Sequence, residues 1–186
     1  MRRSLRAYYR QPRGLVFGSV CVLIIVWRVV ALNSAPATPE LLEEGIHEVR
    51  RVVDGDTLLL ASGARVRLQG IDTPETVRGG HAVEVWGPQA SQFTEEFVNG
   101  AGGQVRLTFS PERKDRYDRF LAFVWDGDVM LNEELVRAGL ADARLDYRYS
   151  DAMKRRLAKA QDEARGAGRG LWSNEKGTGP ILADEH

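Results

Sequence analysis

The chain has 186 residues, enough for one compact domain with a sizeable core, and its single cysteine, Cys21, excludes both a disulfide framework and a thiolate metal centre. Its 26 basic and 26 acidic side chains are unevenly placed: residues 1–32 hold six arginines and no acid, which leaves 20 basic against 26 acidic, a net of −6, for the remainder. A body of that sign counts against a strong non-specific DNA-binding protein, and any nucleic acid would be held by a local patch or a metal ion.

The first element is hydrophobic. "GLVFGSVCVLIIVWRVVAL", residues 14–32, is broken only by Arg28, follows five arginines and precedes Glu40, Glu43 and Glu44. The positive-inside rule gives a basic cytoplasmic tail over 1–14, a single-pass anchor over 15–32 and an extracytoplasmic remainder. The alternative is a signal peptide cut after "APA" at 35–37, with secretion of the rest. Residues 33–45, with their prolines and glutamates, read as a linker.

From Ile46 the pattern becomes β. "IHEVRRVV" ends at the Asp54-Gly55 turn signal, and "TLLL" and "ARVRLQGI" form a hairpin across "ASG". Pro88 opens a helix that stops at Gly100, with Phe93 and Phe97 spaced to face a core. "QVRLTF" (104–109) and "RFLAFVW" (119–125) are two more strands. A second helix is expected to start at Asn132 as N-cap and to stop before Gly139; a third follows Ser150, with Met153, Leu157 and Ala160 inward. Five short strands with interleaved helices predict a small β-barrel wrapped by helices, an α+β fold, over 46–173, with a tail over 174–186.

Chemistry gathers at one corner of this plan. "VVDGDT" sets Asp54 and Asp56 around a turn, and the hairpin returns the chain so that Asp56 and Asp72 meet at one end of adjacent strands. Two carboxylates held together repel unless a cation sits between them, and a hard divalent ion with carboxylate, carbonyl and water ligands meets that need. Arg67, inside a strand, needs an anion: a structural carboxylate or a substrate phosphate. "ERKDRYDRF" (112–120) surrounds Tyr117 with Arg113, Lys114, Arg116 and Arg119, which reads either as a solvated loop or as a phosphate clamp with an aromatic for base stacking. His47, His81 and His186 share no ligand spacing, so zinc is not expected.

Together "VDGDT", "VRLQGIDTPET", "WGPQAS", "DRYDRFLAFVW", "LNEELVRAGLA" and "GLWS", in this order from Ile46 to Ser173, closely resemble the staphylococcal nuclease (thermonuclease) family. The resemblance implies an OB-like five-stranded β-barrel with three helices, here preceded by an N-terminal hydrophobic helix, and calcium-dependent hydrolysis of DNA and RNA. Carried over residue by residue, it implies Asp56 and Asp72 as side-chain ligands of Ca²⁺, with Thr73 adding its backbone carbonyl. Glu75 would orient or deprotonate the attacking water, and Arg67 and Arg119 would bind the scissile phosphate. Tyr117 matches a tyrosine beside the nucleotide; a second is Tyr147 or Tyr149. Asp54 matches an aspartate near the metal. Asp118 stands where many members carry glycine, an added negative charge expected to work against substrate binding.

A non-catalytic binding module is the rival from another class, but degenerate domains of that kind lose the acids and arginines, and here all five of Asp56, Arg67, Asp72, Glu75 and Arg119 stand. No obligate protein partner is evident and a monomer is expected.

Overall fold

The computed structural model describes residues 39–76 and 84–173. The expected tail and anchor over 1–32, the first part of the linker, the stretch 77–83 and the tail from 174 lie outside the described residues. Among the described helices none is long and apolar enough to cross a membrane.

Strand β1 (Gly45–Asp54) largely alternates between half-buried and exposed residues, as a pleated strand covered on one side must. It turns through Gly55 and Asp56 into β2 (Thr57–Leu60), which pairs back antiparallel, and β3 (Arg65–Leu68) pairs antiparallel with β2. On the other side of β1 lies β5 (Gln104–Lys114), followed by the antiparallel β6 (Phe120–Asp126). The sheet then closes on itself, because β6 pairs parallel with β3, setting Arg67 opposite Leu121. The ring β3-β2-β1-β5-β6 is the five-stranded OB-like barrel, and closure leaves its strands without open edges. Strand β7 (Val129–Met130) extends β6, while β4 (Ile71–Asp72) pairs with β8 (Asp142–Ala143) outside the ring.

Leu58, Leu60, Val66, Leu68, Leu107 and Phe120 are sealed inside, each contributing about 1.5–3 kcal/mol by leaving water. Three helices cover the barrel: α1 (Gly87–Gly100), α2 (Leu131–Arg137) and α3 (Asp151–Gly166). Phe93 and Phe97 pack against the core from α1, and Leu157 and Ala160 are buried on α3 with Met153 half-buried beside them. Ser150 caps α3 as expected, accepting from the Met153 N–H.

Three local expectations change. Asn132 is not an N-cap: α2 already begins at Leu131, and Asn132 is fully buried, accepting from Val124 N at 3.0 Å and donating to Gln69 O at 2.9 Å and to Ala122 O. It ties the helix to the barrel, a use that its capping propensity conceals. Strand β5 runs five residues past Phe109, taking in the start of the charged stretch, with its pairing to β6 broken between Phe109 and Lys114 around Pro111. The run 64–71 also divides, since Gly70 turns at φ +79° and separates β3 from β4.

Candidate active site

Four segments build one corner. The β1–β2 turn carries Asp56, β3 carries Arg67, the segment from β4 carries Asp72, Thr73 and Glu75, and the β5–β6 connection carries Tyr117 and Arg119. The turn is wedged tightly: a Cβ on Gly55 would lie 2.8 Å from Ala90 Cβ and 3.0 Å from Thr73 Oγ1. Asp54 acts as a strut, its Oδ1 accepting from Gly55 N at 2.9 Å and Thr76 Oγ at 2.6 Å.

Asp56 is buried and fully engaged. Its Oδ2 accepts from Thr73 N at 3.0 Å and Thr73 Oγ1 at 2.8 Å, and its Oδ1 from the Thr57 hydroxyl at 3.0 Å. Arg67 bridges the two carboxylates, Nη1 to Asp56 and Nη2 to Asp72 Oδ1 at 2.5 Å. The hairpin therefore does bring Asp56 and Asp72 together, and they share a cation in the form of a guanidinium. Burial pulls Arg67 below its ordinary pKa; Asp72 acts the other way, and the positive charge of Arg119 adds to the lowering.

Arg119 stands across from Arg67 with its own counter-ion, Asp115, whose Oδ2 accepts from Nε and Nη2, each at 2.7 Å. Burial alone would raise the Asp115 carboxyl, but hydrogen bonds from the backbone and side chain of Arg119 and the backbone of Tyr117 hold it below the ordinary carboxylate range. Asp56, Arg67, Glu75 and Arg119 line one cavity of about 250 Å³. The same two arginines also border a larger one of about 670 Å³ with Asp72, Tyr117 and Tyr147 on its walls.

The tyrosines separate. Tyr117 and Tyr147 are exposed, with the Arg119 and Arg144 guanidinium carbons 5.3 and 4.8 Å from their ring centres. Tyr149 is buried, packed edge-on against Phe123, and its hydroxyl donates to Arg144 O at 3.0 Å. Burial pushes it up to about 12, with Asp146 adding to the shift. Its ring instead closes the Gly70 corner, where a Cβ would come within 2.8 Å of Tyr149 Cζ.

Asp118 takes a left-handed φ of +59°, a conformation that aspartate is among the side chains to tolerate. Its charge is answered locally by Lys114 Nζ at 2.7 Å. Two participants escaped sequence reasoning. Asp115 is one, although its spacing of four to Arg119 was visible. Arg144 is the other; its Nη1 lies 3.4 Å from Asp72 Oδ2, and only the β4–β8 pairing brings it there.

Among the described residues no three His, Cys, Asp or Glu side chains gather as a metal centre. What the corner provides is a pair of carboxylates already sharing one cation, with Asp72 about half exposed and open to water. With a backbone carbonyl and waters, that donor set fits a hard divalent ion in place of the guanidinium.

Residues 65–174 match the model of the staphylococcal nuclease homologue family. A thermonuclease of Staphylococcus hyicus is 39% identical over 163 residues, 86% of this chain and 95% of that protein. A thermonuclease of Staphylococcus intermedius is 41% identical over 127 residues, covering 67% and 74% of the two chains. An SPbeta prophage-derived endonuclease of Bacillus subtilis is 33% identical over 127 residues, 66% of this chain and 42% of its own length. Barrel, site corner and these likenesses agree, and the chain belongs to the staphylococcal nuclease family.

Proposed function

We propose that this chain is a calcium-dependent nuclease that hydrolyses the phosphodiester bonds of DNA and RNA. The observation that carries the reading is the cavity in which Arg67, Arg119 and Glu75 meet beside Asp56. Its family relatives named thermonuclease support the same reaction.

Hydrolysis requires water to attack phosphorus in line, on a diester that already bears a negative charge. Glu75 orients that water and accepts its proton. Arg67 and Arg119 hold the non-bridging oxygens and stabilise the charge that grows on them; a guanidinium fork does this with two donors at once. Partial neutralisation of the phosphate and polarisation of the attacking water are what a calcium ion on Asp56, Asp72 and the Thr73 carbonyl supplies. Tyr117 and Tyr147 flank the larger cavity, where they can stack on the bases of a single strand.

Purified protein given single-stranded DNA or RNA is expected to degrade both with calcium and neither with chelator. Equal rates in chelator, or in magnesium alone, would remove calcium from the proposal.

The arginine-rich start and apolar run at 15–32 support an extracytoplasmic nuclease on an uncleaved anchor. Protease added to intact cells should then reach the domain. Protection would reverse the orientation, and mature protein starting near Thr38 in the medium would indicate cleavage.

A further inference from the structure

The β5–β6 connection is organised around one side chain. Asp115 Oδ1 accepts two backbone N–H groups, Tyr117 N at 2.9 Å and Arg119 N at 3.0 Å. Its Oδ2 accepts the Arg119 side chain, Nε and Nη2 both at 2.7 Å. Asp115 N donates in return to Arg119 O at 3.0 Å, closing the loop on itself. One oxygen thus shapes the loop and the other aims the guanidinium.

We propose that Asp115 is a positioning residue for the hydrolytic reaction, holding the Nε edge of Arg119 so that the Nη1 end is the one presented to the substrate phosphate. The proposal rests on the nuclease reading above. A guanidinium has five N–H donors in a fixed plane, so two of them can be spent on a carboxylate without removing its capacity for phosphate. An unheld arginine sweeps many rotamers, and a displacement of about 1 Å from the productive geometry can lower a rate ~10²-fold. The anchoring also explains a charge arrangement. Arg67 and Arg119 repel across one cavity, and each is restrained by carboxylates on its outer side, Arg67 by Asp56 and Asp72, Arg119 by Asp115.

The division of labour between the two oxygens gives a selective test. In Asp115→Asn the retained carbonyl oxygen can keep both backbone N–H bonds, while the new NH₂ faces the Arg119 donors and cannot accept from them. The variant should therefore stay folded, with near wild-type circular dichroism and melting temperature. Its kcat on single-stranded DNA at saturating calcium should fall ~10-fold or more, with KM changed several-fold less. The decisive arm is a double-mutant cycle. If Asp115 acts through Arg119, then Asp115→Asn introduced into Arg119→Ala should lower kcat by less than ~2-fold further. A folded Asp115→Asn enzyme with wild-type kcat overturns the proposal, as does an equal loss in both backgrounds, which would make Asp115 purely structural. Should Asp115→Asn unfold, Asp115→Glu serves: a longer carboxylate that restores kcat above the Asp115→Ala value supports the aiming role, and equality of the two refutes it. A wild-type chain that cleaves nothing would overturn the nuclease reading and this proposal together.

Discussion

At the scale of single residues, the site is a set of charges each given a counter-charge before any substrate arrives. Arg67 is partly buried between Asp56 and Asp72, Arg119 is held by Asp115, and Asp118 is answered by Lys114. Such pairing limits the desolvation penalty of ions in a partly closed cavity, and it means that a phosphate or a calcium ion binds by exchange. Glu75 is the proposed base. Glu75→Gln preserves shape and removes the base, so turnover should fall by ~10²-fold or more while calcium binding changes little. Single-turnover cleavage alongside calorimetric titration with calcium checks both halves. An unchanged rate in a folded variant would take the base assignment away from Glu75.

At the scale of elements, the proposed base, Glu75, packs by its main chain against the start of helix α1. Gly87, in the first turn of α1, packs so closely that an added Cβ would lie 2.7 Å from Glu75 O. Carbonyl oxygen is backbone and cannot swing aside, so Gly87→Ala must displace either the helix start or the Glu75 main chain. The expected result is a ~10-fold or greater loss of kcat with a melting temperature lowered by only a few degrees. Gly100→Ala, at the far end of the same helix with nothing within 4 Å of its Cβ, should leave activity intact. Equal activity of the two variants would show that the α1 contact does not set Glu75. The helix itself, like the barrel strands and the Ser150 cap, was legible in the sequence because period, proline and glycine are local signals. Asn132 misled for the same reason: its local propensity is to cap, and only the packed barrel offers it Gln69 O, Ala122 O and Val124 N. Tyr147 and Tyr149 could not be told apart from spacing, because their fates turn on which ring the Gly70 corner accepts. Arg144 and the parallel β3–β6 closure were equally hidden, being consequences of pairings between segments far apart in sequence.

At the scale of the whole molecule, the question is how a chain that is acidic beyond residue 32 holds a polyanion. The field of the body repels nucleic acid at a distance, so affinity must come from the few guanidiniums concentrated at the cavities: Arg67, Arg116, Arg119 and Arg148 line the larger one. Each phosphate neutralised on a single strand contributes about −0.7 to the slope of log K against log salt. Four such contacts give a slope of about −3, which corresponds to a ~50-fold weakening between about 50 and 200 mM salt. The six arginines of residues 1–32 would, if they also met substrate, steepen the slope to about −7. The two cases are far enough apart to measure as the salt dependence of 1/KM for single-stranded DNA at saturating calcium, using the full chain. A slope near −3 is expected on the proposed anchor, which would put the five arginines of residues 1–14 across the membrane from the substrate and Arg28 within the span. A slope near −7 from protein reconstituted in sealed vesicles, with the nuclease domain outside, would place the basic start on the substrate and overturn the proposed anchor.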